Sequence, residues 1–127
     1  DLAQADMIVL PGGMPGTTNL YADKRVTSAV RAMYDAEKYV AAICAAPSVI
    51  LGGMGLLKGR RATCYPGMED GMEGAEAVPA TCVTDEKIIT ACGVGGALDF
   101  ACALITALIS REKADEIALS VVYHAAN

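Results

Sequence analysis

Two short apolar runs separated by a stretch of helical period constrain this chain more than any other feature. Met7-Ile8-Val9-Leu10 stops at Pro11-Gly12-Gly13, and Tyr39-Val40-Ala41-Ala42-Ile43 runs straight into Cys44. Short apolar runs bounded by such breakers read as buried strands. Between them Val26, Ala29, Val30, Met33 and Tyr34 share one helical face, which predicts a helix over 23–37 with Asp23 as its N-cap. A helix that joins two buried strands is a crossover connection, and crossover connections make parallel sheets.

The same alternation continues. Pro47 suits a first helical turn and opens a predicted helix over 47–54, which Gly52, Gly53 and Gly55 end. A short strand is expected over 61–64. The Gly- and Met-rich acidic stretch 66–74 reads as a loop with a helical turn. Strands are expected over 78–83 and 87–92, joined through Thr84-Asp85-Glu86. A glycine-rich turn, 93–96, then leads to helices over 97–109 and 112–122. The fold class is therefore α/β, with a mostly parallel sheet covered on both faces. Residues 1–127 suit a single domain, and 54% hydrophobic residues supply its core, built from aliphatics because there is one Phe and no Trp. The chain opens almost directly on a strand that looks central, so an N-terminal βαβ portion is expected to be missing from this sequence.

A formal net charge of -5 and the absence of a basic cluster argue against nucleic acid as a partner. No apolar run approaches the roughly 20 residues that span a bilayer, and no basic-then-apolar start resembles a signal peptide, so no membrane association and a cytoplasmic location are expected. The five cysteines, Cys44, Cys64, Cys82, Cys92 and Cys102, are widely spaced, contain no CxxC pair and are accompanied by one His, His124. Neither a metal site nor a disulfide framework is expected, and no cofactor is implied. His124 reads as a surface or interface residue, Cys82 and Cys102 as core residues, and Glu69, Asp70 and Glu73 as a solvated loop.

Cys44 stands where a strand passes directly into a helix, the geometry of a nucleophile elbow. Such a turn presents the side chain at the carboxyl edge of the sheet, with helix N–H groups directed at it, an arrangement that activates a thiol. Ala45 and Ala46 leave the approach open. A buried cysteine packed as a small hydrophobe fits the same pattern. Gly12 and Gly13 end a neighbouring strand, and Gly13 and Ala45 could each offer a main-chain N–H to a developing oxyanion. The segment Cys92-Gly93-Val94-Gly95-Gly96 lacks the Lys and Ser/Thr of a P-loop and reads as a backbone wall of the same pocket. Tyr65, Gly93, Val94 and Gly95 are the remaining expected lining residues, and Cys64 or Cys92 could resolve an oxidised Cys44.

Three segments, Val9-Leu10-Pro11-Gly12-Gly13, Ala41-Ala42-Ile43-Cys44-Ala45-Ala46-Pro47 and Gly93-Val94-Gly95-Gly96-Ala97-Leu98-Asp99-Phe100, together resemble the ThiJ/PfpI family, that of the parkinsonism-associated protein deglycase. Arg111-Glu112-Lys113-Ala114 also fits the closing helix of bacterial members. The resemblance implies a flavodoxin-like three-layer sandwich related to class I glutamine amidotransferases, a homodimer, and Cys44 as the reactive, oxidisable residue. It implies a glyoxalase or deglycase acting on methylglyoxal or related α-oxoaldehyde adducts, with a small aldehyde or an oxidant as the partner molecule. Redox-sensing or chaperone roles, a cysteine hydrolase or peptidase, and a thiazole monophosphate biosynthesis label are the alternatives it carries. Two departures stand out. The acidic partner of the family's cysteine, a Glu, belongs to an early segment absent from these residues. Where many members carry a His before a Pro, this chain has Tyr65 before Pro66, which weakens the peptidase reading.

Overall fold

The computed structural model describes residues 2–124. After a 3₁₀ turn at Leu2–Gln4 come strand β1 (Met7–Leu10), helices α1 (Gly16–Ala22) and α2 (Lys24–Asp35), and strand β2 (Tyr39–Ile43). A π-helical turn, Pro47–Gly52, precedes β3 (Arg61–Ala62), a 3₁₀ turn at Glu69–Gly71 and β4 (Glu76–Ala77). The hairpin β5 (Cys82–Asp85) and β6 (Ile88–Ala91) leads through a 3₁₀ turn, Val94–Gly96, to α3 (Ala97–Leu108) and α4 (Arg111–Ser120).

The main sheet has the order β1-β2-β6-β5. β1 runs parallel to β2 and β2 to β6, while β5 is antiparallel to β6. The period of two along β2 assigns its side chains to two separate cores. Val40 and Ala42 join Leu10, Val30, Met33, Ile50, Leu57 and Ile88 on the face covered by α2 and the π-helical turn. Ala41 joins Ile89, Ala91 and Phe100 on the face covered by α3, with Ile43 packed against them. Both faces of β2 are thus buried, which explains why its sequence is a continuous apolar run. The result is a three-layer α/β sandwich.

β3 and β4 form a separate two-stranded parallel sheet. Side-chain oxygens join β3 to the main sheet: Arg61 N–H donates to Asp85 Oδ2 at 2.8 Å, and Thr63 N–H donates to Thr90 Oγ1 at 3.0 Å. Thr63 and Thr90 are both buried, so this bond satisfies a main-chain donor that water cannot reach.

Several elements differ from the sequence expectation. The helix α1 lies in a stretch whose Gly, two Thr and Asn are weak helix formers. Tertiary contacts hold it: Thr17 is fully buried and its hydroxyl donates to Gly13 O at 2.6 Å, while Tyr21 OH donates to Gly53 O at 3.0 Å. The helix expected over 47–54 is π-helical at Pro47–Gly52. The strand expected over 61–64 is confined to Arg61–Ala62. The strand expected over 78–83 begins only at Cys82, because Pro79 has no N–H to give a ladder. The hairpin turn accordingly falls at Glu86 and Lys87, with Glu86 at a φ of 53°. Among the described residues no helix is long and apolar enough to cross a membrane.

Candidate active site

Cys44 follows β2 directly, at a φ of 65°. That left-handed conformation disfavours a residue with a Cβ and is held here from both sides. Cys44 N–H donates at 2.9 Å to the carbonyl of Ala91, the last residue of β6, and Tyr65 N–H donates to Cys44 O at 2.8 Å. The chain then turns into Ala45 and Ala46, both buried, and Val49 N–H donates back to Ala45 O at 2.9 Å. A strand ending, an αL cysteine and an immediate helical turn make a nucleophile elbow at the carboxyl edge of the parallel strands.

Three of the expected lining residues converge on Cys44. A Cβ on Gly12 would overlap that of Cys44 and would lie 2.9 Å from Ile43 O and 3.3 Å from the Cys44 Sγ. A Cβ on Gly93 would lie 4.0 Å from Sγ and 3.7 Å from Tyr65 Cδ1. Gly12, Gly93 and the Tyr65 ring therefore wall the thiol, and the absence of side chains at the two glycines makes the space that Sγ occupies. Tyr65 is about half exposed, at 51%.

Val94 and Gly95 follow Gly93 in an open turn. Val94 is 90% exposed, and a side chain on Gly95 would meet nothing within 4 Å. Gly13 has a φ of 89° and open space where a side chain would be, and its carbonyl accepts from Thr17 N at 2.8 Å. The N–H groups of Gly13 and Ala45 form no main-chain hydrogen bond among the described residues.

The other cysteines have different surroundings. Cys64 is buried, and its thiol is pushed up to about 11 by burial and, less strongly, by Glu69 and Cys44. Cys64 and Cys92 line a shared cavity of about 600 Å³. Cys82 is likewise pushed up to about 11, first by burial and then by Asp99. Cys82 and Cys102 are half-buried and line a separate cleft against α3 and α4 rather than lying fully in the core. His124 lies past the end of α4 and is exposed. Asp99 accepts from Thr81 Oγ1 at 2.8 Å and from the Tyr123 hydroxyl, a pairing that ties the last described residues to α3. Glu69, Asp70 and Glu73 are exposed. Among the described residues no group of three or more His, Cys, Asp or Glu side chains could hold a metal ion.

Residues 1–107 match the DJ-1/PfpI family. The chain belongs to that family. DJ-1 homolog A of Arabidopsis thaliana is 40% identical over 114 residues, covering 88% of this chain and 29% of its own length. A deglycase of Pyrococcus horikoshii is 40% identical over 83 residues, which is 63% of this chain and 48% of the deglycase. The structure of oxidised DJ-1 from Toxoplasma gondii superimposes with a TM-score of 0.91 at 33% identity, covering 98% of this chain and 68% of that one. The chain thus spans about a quarter to two thirds of the length of the first curated relatives it matches. The flavodoxin-like fold of these DJ-1/PfpI structures is the one built above.

Proposed function

We propose that this DJ-1/PfpI domain is a cysteine-dependent glyoxalase or deglycase-type enzyme acting on methylglyoxal or related α-oxoaldehyde adducts, in the setting of carbonyl or oxidative stress. The observation that carries the reading is the αL Cys44 at the strand-to-helix turn, walled by Gly12 and Gly93, whose missing side chains leave room beside Sγ. The similarity to a deglycase supports it.

In the proposed reaction the Cys44 sulfur adds to the aldehyde carbon, and the carbonyl oxygen becomes an oxyanion that takes up a proton as a hemithioacetal. The N–H groups of Gly13 and Ala45 hold that oxyanion. A proton then leaves the former aldehyde carbon and one returns to the neighbouring carbon, so that the ketone becomes a hydroxyl and the hemithioacetal a thioester. Water cleaves the thioester, giving lactate and restoring the thiol; no outside oxidant is consumed. The base for the proton transfer is proposed to be the family glutamate, outside these 127 residues. The domain is proposed to act as a homodimer in the cytoplasm.

The test is methylglyoxal consumption by the intact protein, wild type against Cys44→Ser. Loss of turnover in the variant is the expected result. Equal turnover in both proteins overturns the assignment of Cys44. No turnover in either, with selective oxidation of Cys44 by low peroxide, favours a redox-sensing role at the same residue.

A further inference from the structure

Gly93 has no side chain, and the volume that one would fill is bounded on two sides. A Cβ there would lie 4.0 Å from Cys44 Sγ and 3.7 Å from Tyr65 Cδ1, so one methyl-sized space touches both the sulfur and the aromatic ring. The neighbouring glycines add no such wall. A side chain on Gly13 or Gly95 would meet nothing within 4 Å, and Val94 is 90% exposed. Tyr65 is the large side chain set against the space beside Sγ.

The ring of Tyr65 packs into neither hydrophobic core, and the residue keeps 51% of its surface exposed. Its backbone, by contrast, is held. The Tyr65 N–H donates to Cys44 O at 2.8 Å, and the Tyr65 carbonyl accepts from Met68 N–H at 3.1 Å and from Cys64 Sγ at 3.4 Å. The elbow thus fixes where the ring begins and leaves much of its surface free. A tyrosine side chain has two rotatable angles, so ordering it against a ligand costs little conformational entropy for the contact area gained.

From this shared space between Sγ and a free aromatic ring, we infer that Tyr65 is a specificity-determining residue, which selects α-oxoaldehydes that carry an aromatic substituent. The inference rests on the Cys44-centred reaction proposed above. Once Sγ has added to the aldehyde carbon and the carbonyl oxygen has taken up a proton, the remainder of the substrate extends from that carbon through the space at Gly93. An aryl group there meets the Tyr65 ring in offset or edge-to-face contact, which is worth more than the area it buries, whereas a methyl group covers little of the ring. The atom that faces the space is the ring carbon Cδ1, so the contact is made by the ring rather than by the hydroxyl.

The test is turnover of phenylglyoxal and of methylglyoxal by the intact protein, as wild type, Tyr65→Ala and Tyr65→Phe. Alongside it, Cys44 is labelled with N-phenylmaleimide and with N-methylmaleimide, and the adduct is followed by peptide mass spectrometry. In each assay the aryl-to-methyl rate ratio is the readout, because a general loss of activity cancels in it. Tyr65→Ala should lower the ratio about tenfold, equivalent to about 1.4 kcal/mol, while Tyr65→Phe keeps it within about twofold because the ring remains. The side chain lies outside both cores, so neither variant threatens the fold. A ratio in Tyr65→Ala equal to that of wild type overturns the inference. A ratio lowered as far by Tyr65→Phe as by Tyr65→Ala assigns the selection to the hydroxyl and overturns the ring. A wild-type protein that turns over neither aldehyde defeats the glyoxalase reading alone, and the maleimide ratio then decides Tyr65 by the same criteria.

Discussion

Gly12 approaches Cys44 so closely that a Cβ on the glycine would overlap the cysteine Cβ and stand 3.3 Å from its sulfur. The obstruction is made of backbone as well as side chain, because Ile43 O would lie 2.9 Å away. Gly12→Ala therefore forces β1 and the elbow apart. We expect it to cost about 1–3 kcal/mol, as overpacking does, and to lower the rate of Cys44 modification and turnover together. Gly13→Ala provides the contrast. Its new methyl group enters open space, and its cost comes from a φ of 89° alone, so it should destabilise while leaving Cys44 accessible. Thermal melts and thiol labelling of the two variants check this; equal labelling of Cys44 in wild type and Gly12→Ala would refute the steric account.

The φ of 65° at Cys44 sets up a second comparison. Both Cys44→Ala and Cys44→Gly remove the sulfur, but only glycine is free of the left-handed penalty. Cys44→Gly should be the more stable of the two by about 1 kcal/mol, the reverse of the usual order for an Ala–Gly pair. Denaturant titration measures the difference. An alanine variant as stable as the glycine one would mean that the elbow relaxes once the thiol is gone.

The elbow was legible in the sequence because its parts are local: an apolar strand, a cysteine and Pro47 in the next turn. Gly12 and Gly93 were legible as strand-ending glycines expected at the same sheet edge as Cys44, but the closeness of Gly12 to the Cys44 Cβ is a tertiary contact that no local pattern gives. What the sequence concealed was decided by tertiary contacts. The helix α1 forms on weak formers because Thr17 and Tyr21 find partners at Gly13 and Gly53. The hairpin slid past 78–81 because one proline outweighed an apolar run. Val94 and Gly95 were expected in the pocket because they adjoin Gly93; the chain turns at Val94–Gly96 and leaves Val94 90% exposed.

Cys64 and Cys82 make a pH prediction whose sign follows from burial. Each thiol is pushed up to about 11 in the folded protein, against an ordinary 9.0. Between those values the unfolded chain releases protons that the folded chain retains, so ionisation favours unfolding. The stability contributed by the neutral thiols is fully present below about pH 9 and is lost as pH rises towards 11. Denaturant titrations under reducing conditions from pH 8 to pH 11 should show a shallower decline for Cys64→Ala/Cys82→Ala than for wild type. An identical decline in both would show that other groups account for it.

Burial also decides how much the two side-chain oxygens that hold β3 contribute. Thr90 Oγ1 and Asp85 Oδ2 each accept one main-chain N–H, at 3.0 Å and 2.8 Å, so length does not separate them. Their surroundings do. Thr63, which donates to Thr90, is 5% exposed and Thr90 is fully buried, whereas Arg61, which donates to Asp85, is exposed. Thr90→Val keeps the shape and strands the Thr63 N–H without water, which should cost about 1–3 kcal/mol. Asp85→Ala leaves the Arg61 N–H open to solvent, and its cost should stay within about 0.5 kcal/mol. Unfolding free energies of the two variants give the ratio directly. If Asp85→Ala proves the more damaging, the exposed bond rather than the buried one fixes β3 against the main sheet.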